Sequence, residues 1–168
     1  VGNIIKTTDP KNQKINYTYN DINQVIIEDF PGTAGIETTY SYNSCTNGMG
    51  KLCSALVLGG VNTNYIYNSN GNVSNETKII DAINYTTSYL YDRFGNQLTI
   101  IYPDNGEVKN TYNSAGLLEK IERKENGGAY TDVVSNFDYG PHDKVIYQLN
   151  ANNIGTTYIY DDTKIYRL

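Results

Sequence analysis

An aromatic residue, one spacer and a second aromatic, usually followed by Asn or Asp, recur along this 168-residue chain. The pattern stands at Tyr17/Tyr19/Asn20, Tyr40/Tyr42/Asn43, Tyr65/Tyr67/Asn68, Tyr89/Tyr91/Asp92, Phe137/Tyr139 and Tyr158/Tyr160/Asp161, with a half-copy at Tyr112-Asn113. The second aromatics follow one another at intervals of 23, 25, 24, 21, 27 and 21 residues. Self-similarity at such a period marks a stacked repeat array, in which each unit buries its apolar face against its neighbours. A fold built by repetition is therefore expected.

The residue types say what is repeated. Tyr contributes 17 residues and Trp none, and Tyr, Ile, Val and Thr suit a pleated, half-buried surface. Residues two apart in a strand share a face, so both aromatics of a pair project to one side and the spacer to the other. The spacers Thr18, Ser41, Ile66, Leu90, Asp138 and Ile159 are mixed in polarity, which predicts one aromatic face and one variable face. Packing in rows, the rings leave their hydroxyls wet at the row edges.

Three residues after the Asn or Asp stand Asn23, Gly71, Gly95, Gly116 and, aligned on Tyr139, Asp143, residue types that tolerate a left-handed backbone. An apolar residue then resumes at Val25, Val73, Leu118 and Val145, with Leu98 one place later. Each repeat thus reads as strand, tight turn, strand, and a second turn such as Tyr102-Pro103-Asp104-Asn105-Gly106 starts the next unit. The expected fold is all-β: tandem antiparallel hairpins in a continuous curled ribbon of about fourteen strands, since sheets much beyond ten strands curl or split. Residues 1–14 read as a lead-in or edge strand, and 15–168 as about seven repeats, the last incomplete.

The formal charge of −5 is spread without a basic block, which argues against nucleic acid as a partner. The longest apolar run, Ala55-Leu56-Val57-Leu58, is strand-sized, so no helical membrane insertion is expected. The chain begins at Val1 and ends at Leu168 just after a repeat has started, and it reads as part of a longer protein.

Tyr89-Leu90-Tyr91-Asp92-Arg93-Phe94-Gly95-Asn96-Gln97-Leu98, followed by Tyr102-Pro103-Asp104-Asn105-Gly106, resembles the YD repeat of the RHS (rearrangement hotspot) family. Related forms occur from Tyr40-Ser41-Tyr42-Asn43 to Leu52, and from Phe137-Asp138-Tyr139-Gly140-Pro141 to Tyr158-Ile159-Tyr160-Asp161. The resemblance implies part of a large secreted or surface-delivered bacterial protein. Its β-ribbon would wind with neighbouring repeats into a shell enclosing a C-terminal toxin; animal teneurins use a similar barrel for adhesion. Asn replaces Asp at Asn20, Asn43, Asn68 and Asn113, which keeps the turn-forming side chain without charge. The family's Asp-Pro-x-Gly cleavage motif is not found, because Asp9-Pro10 is followed by Lys11-Asn12.

Cys45 and Cys53 flank a loop where two hairpin strands are expected to face each other. A disulfide fits that placement and an exported protein, contributing roughly 2–3 kcal/mol by loop entropy. Two buried free thiols and metal ligation are the alternatives, the latter disfavoured because no His lies near in sequence. His142 in the turn Gly140-Pro141-His142-Asp143, and the scattered carboxylates, read as turn and surface residues rather than a general base or a glycosidase pair. Asp161-Asp162 and Asp104-Asn105-Gly106 lack the ligand density of a calcium loop. No catalytic residue, metal or cofactor is therefore assigned. The structural residues are the aromatic pairs with Asp92, Gly95, Gly116 and Asp161. The leading function is a non-catalytic wall segment, and the alternative is an adhesin or carbohydrate-binding module using the Tyr rows on a surface glycan. Exposed edge strands predict edge-to-edge dimerisation.

Overall fold

The computed structural model describes residues 2–161, so the end of the seventh unit, residues 162–168, lies outside the described residues. The chain divides into two compact units, Val1–Thr87 and Ser88–Leu168. The first contains β1 (Lys6–Thr8), β2 (Lys14–Tyr19), β3 (Val25–Asp29), β4 (Thr38–Tyr42), β5 (Leu52–Val57), β6 (Asn62–Tyr67) and β7 (Val73–Ile80). Strand β8 (Ile83–Tyr91) begins there and ends in the second unit. That unit continues with β9 (Gln97–Ile101), β10 (Glu107–Tyr112), β11 (Leu118–Lys124), β12 (Thr131–Tyr139), β13 (Val145–Asn150) and β14 (Gly155–Thr157). Apart from a short 3-10 turn at Pro141–Asp143, every regular element among the described residues is a strand.

Within each unit the strands are hydrogen-bonded neighbours in chain order, antiparallel throughout. The expected aromatic pairs close β2, β4, β6, β8 and β12, and Tyr112 closes β10. The return strands begin at Val25, Leu52, Val73, Gln97, Leu118 and Val145. Fourteen strands are present among the described residues, in line with the repeat count, although the tally is composed differently. Strand β1 precedes the first aromatic pair, and β14 is the last strand among the described residues, after which Tyr158 and Tyr160 follow.

A feature absent from the sequence reading recurs at each of these aromatic hairpins. Thr18 pairs with Ile27 but Tyr19 pairs with Val25, so one residue of the return strand has no opposite number. The same slip follows Ser41, Ile66, Leu90, Thr111 and Asp138. Tyr19, Tyr42, Tyr67, Tyr91, Tyr112 and Tyr139 thus each sit at a β-bulge, which disrupts the ladder locally and increases its right-handed twist.

Burial follows the predicted alternation. Both members of every aromatic pair are half-buried, while the spacers Thr18, Ile66, Leu90, Asp138 and Ile159 are exposed and Ser41 alone of the six is half-buried. Only Cys53, at 4% exposure, and Val134, at 6%, form buried hydrophobic positions among the described residues. Each unit is therefore a sheet without a globular core, dependent on cross-strand packing and hydrogen bonds.

Candidate functional site: a lattice of tyrosines and turns

The Asn or Asp after each second aromatic shapes the turn. Asn68 Oδ1 accepts hydrogen bonds from the backbone N–H of Asn70 and of Asn72, each 3.0 Å. Asp92 Oδ1 does the same with Phe94 and Asn96 at 2.8 and 2.9 Å, Asn20 with Ile22 and Gln24, and Asn113 with Ala115 and Leu117. A side chain binding its own backbone two residues on is an Asx turn. The main chain closes the same loop, with Asn68 N donating to Asn72 O at 2.8 Å and Gly71 N to Asn68 O at 2.9 Å.

Asn23, Gly71, Gly95, Gly116 and Asp143 all have positive φ, between 57° and 89°. Only Gly, or an Asn or Asp able to bond locally, adopts that conformation cheaply. Asp9 and Asn12 in the β1–β2 turn repeat the arrangement, and the β9–β10 turn repeats its main-chain bonds, between Tyr102 and Gly106 and between Asn105 and Tyr102, and its positive φ at Asn105 without the Asx side chain. One turn design thus serves both ends of several hairpins. Burial pushes the Asp92 carboxyl up, but hydrogen bonds from Asn96, Phe94 and Gly95 outweigh it and hold the group below its usual value.

The second aromatic of a pair reaches back one hairpin. Tyr67 Oη donates to Leu52 O at 2.7 Å, Tyr42 Oη to Val25 O at 2.8 Å, and Tyr112 Oη to Gln97 O at 3.1 Å. Tyr139 Oη donates to Leu118 O at 2.5 Å and Tyr160 Oη to Val145 O at 3.0 Å. The acceptor in each case is the first residue of the preceding return strand. Tyr19 Oη reaches Ile4 O, ahead of β1, at 2.8 Å. These hydroxyls are not wet row edges, as the composition suggests; the bulge breaks the ladder at the start of each return strand, and the phenol takes up the carbonyl there. Burial raises the hydroxyl pKa of Tyr42, Tyr67, Tyr91 and Tyr139.

The first aromatics are placed on the same face but bonded differently. Tyr17 Oη lies 3.4 Å from Thr7 Oγ1, and Tyr158 Oη lies 3.4 Å from Gln148 Oε1. The Tyr40 hydroxyl is raised by burial and by Glu28 beside it, and that of Tyr65 by burial and Glu76. Tyr89 is half-buried in β8. Phe137 and Tyr139, on one strand, have ring centroids 6.5 Å apart. Asp161 is half-buried beyond β14.

The turn after Tyr42 departs from this design. Asn43 itself has φ 66°, its Oδ1 accepts from Gly50 N, and residues 43–51 form a longer loop. Cys45 and Cys53 are disulfide-bonded across it, with Cα atoms 5.4 Å apart. The loop also docks on β6: Tyr67 N donates to Thr46 O at 3.2 Å, and Asn47 Nδ2 to Tyr67 O at 2.9 Å.

A second cluster escaped the sequence reading. On β10 to β12, Lys124 Nζ lies 2.9 Å from Glu107 Oε1, and Lys120 Nζ lies 2.7 Å from Asp132 and 3.2 Å from Glu122. The Tyr130 hydroxyl donates to Glu107, and Lys109 and Lys124 sit over its ring. The alternating charges of Glu107 and Lys109 on β10 and of Lys120, Glu122 and Lys124 on β11 were the available signal, since facing strands pair opposite charges across a register. Tyr130 falls outside the aromatic period and gave none.

No group of three or more His, Cys, Asp or Glu side chains able to hold a metal occurs among the described residues. His142 occupies the 3-10 turn after Gly140, with φ 58°. No helix among those residues is long and apolar enough to cross a membrane.

Residues 67–107, from the second tyrosine of one pair through the whole Tyr89/Tyr91 hairpin, match the RHS Repeat family. Residues 67–107 carry an RHS repeat. The remaining hairpins extend its design in both directions. None of the curated proteins compared with the chain matches it. Among solved structures, the complex TcdB2-TccC3 is similar with a TM-score of 0.78 and 16% identity, covering 94% of this chain and 9% of that one. TcdB2-TccC3-Cdc42 gives 0.77 at 16%, and a Photorhabdus luminescens Tc holotoxin pore 0.77 at 15%, each with the same coverage. At these identities the likeness concerns the fold, and this chain spans 9% of the length of the solved chains it matches. The RHS repeat at residues 67–107, with the recurring hairpins around it, supports a structural repeat segment.

Proposed function

We propose that this chain is wall in a larger RHS β-shell that encloses a C-terminal toxin, with no catalysis of its own. The observation that carries the reading is the use of the repeat's distinctive groups to hold the repeat together. The second tyrosines cap carbonyls one hairpin back, and the Asn or Asp side chains cap their own turns. The Tyr face is half-buried and the bonded hydroxyls of its second tyrosines are committed to backbone, which argues against a glycan platform. Such a wall acts sterically: it supplies a closed hydrogen-bonded surface between a cargo and its target. Preceding and following repeats pair with the outer edges of β1 and β14, and in isolation a second copy of the chain takes their place. The protein operates after secretion or at the cell surface, which the disulfide supports.

The test is limited proteolysis of the full-length protein. Any segment downstream of the repeats should resist protease until the repeats are unfolded. Cleavage of that segment at the rate of its isolated form would rule enclosure out. The isolated chain should form dimers or larger species by size-exclusion chromatography at high concentration.

A further inference from the structure

The geometry points to a thiol–disulfide exchange site of fixed polarity at Cys45–Cys53: a dithiol reductant attacks Cys45, and Cys53 is the leaving group. Cys53 is 4% exposed and lies on β5, whereas Cys45 is half-buried in the loop and is the more accessible of the two residues. Exchange requires access to one sulfur and favours stabilisation of the other as it departs. The backbone N–H of Cys45 points at Cys53 Sγ from 3.0 Å, so negative charge developing there meets a donor already in place. Gly48 completes the site. It is buried against the bond, and a Cβ at that position would lie 2.3 Å from Cys45 Sγ and 2.6 Å from Cys53 Sγ, so only glycine lets the loop close over the two sulfurs on that side.

The exchange balances as follows. The reductant's thiolate attacks Cys45 Sγ, the S–S bond breaks, and its electron pair passes to Cys53 Sγ, which then takes a proton from water. The reductant's second thiol displaces Cys45 as a thiol, and the reductant is left as a disulfide, oxidised by the two electrons that the protein gained.

The consequence lies in the next repeat. The closed loop presents Thr46 O and Asn47 Nδ2 to the backbone of Tyr67, and Lys51 Nζ stands 5.1 Å from the centre of the Tyr67 ring. The five-residue Asx turn that fixes other hairpins is not available here, because the connection runs from Asn43 to Lys51. Opening the disulfide therefore frees the loop from Tyr67, where Tyr67 also staples Leu52. The junction between the second and third hairpins is tight in an oxidising compartment and loosened in a reducing one.

Two readouts on the intact chain test this. Brief treatment with glutathione, acid quench and peptide mapping should place the mixed disulfide on Cys45; an adduct on Cys53 in equal or greater yield overturns the polarity. After full reduction by dithiothreitol, hydrogen exchange at the Tyr67 amide should rise about tenfold while amides of β9 to β11 are unchanged. Unchanged Tyr67 protection in a fully reduced chain overturns the coupling. The double variant C45S/C53S should exchange Tyr67 quickly with or without dithiothreitol, and if it does not fold, the reduced wild-type chain gives the decision by itself.

Discussion

The hydroxyl of Tyr67 donates a 2.7 Å hydrogen bond to the carbonyl of Leu52, the residue that opens the return strand of the preceding hairpin. Tyr67→Phe removes the donor and keeps the ring, leaving a carbonyl at a bulge without its phenol. The expected loss is about 1 kcal/mol, read as a lower urea midpoint with an unchanged slope. The neighbouring spacer Ile66 is exposed on the opposite face, so Ile66→Thr should cost less than Tyr67→Phe.

The Asx turn predicts which substitutions the repeat tolerates. Asn68→Asp keeps both acceptor bonds to Asn70 and Asn72 and should leave stability nearly unchanged at neutral pH. Asn68→Ala removes both and should cost about 1–2 kcal/mol by urea denaturation. An Ala as stable as wild type would show that the main-chain turn alone suffices.

Gly116 has φ 79°, and a Cβ there would meet nothing nearer than Asn96 Nδ2 at 4.0 Å. The penalty for substitution is thus backbone strain rather than collision. Gly116→Asn should cost less than Gly116→Ala, which should cost about 1 kcal/mol, and Gly116→Val most. Thermal unfolding of the three variants gives the order.

Alkaline pH should unfold the sheet through its tyrosines. Burial raises the hydroxyl pKa of Tyr42, Tyr67, Tyr91 and Tyr139 in the folded chain. Their contribution is fully present below the unfolded value of about 10 and is lost as pH rises through the folded values. Phenolate absorbance and loss of β circular dichroism should therefore change together above that pH. Ionisation of these residues with the sheet intact would contradict the buried staples.

Acid should act at the cluster on β10 to β12. The Tyr130 hydroxyl and then Lys124 hold the Glu107 carboxyl below its ordinary value, and Lys120 does the same for Asp132. Stability from these groups is present above their unfolded values of about 4 and disappears as pH falls through the folded ones. Glu107→Gln should lower the urea midpoint at neutral pH and change it little in strong acid, so the variant's pH dependence is shallower than wild type.

The strand ends, the turns and the left-handed residues are legible in the sequence because they are local. Tyr19 to Val25, or Tyr91 to Gln97, is a run of adjacent residues in which Asn, Asp and Gly act on their own backbone, and spacing alone reveals that. The bulge after Thr18, the reach of Tyr139 to Leu118 and the docking of Thr46 and Asn47 on Tyr67 depend on register between strands. Composition cannot give register, so it assigns the tyrosine hydroxyls to water when they belong to carbonyls. The Tyr130–Glu107–Lys124 cluster is hidden for the same reason, since Tyr130 stands 23 residues from Glu107 and the carboxylate meets its partners only across paired strands. The sequence by itself determined a repeating antiparallel hairpin, because period and turn chemistry are properties of neighbouring residues. Only the tertiary structure decided how one hairpin is fastened to the next, because that depends on which backbone carbonyl each bulge leaves for the tyrosine of the following repeat.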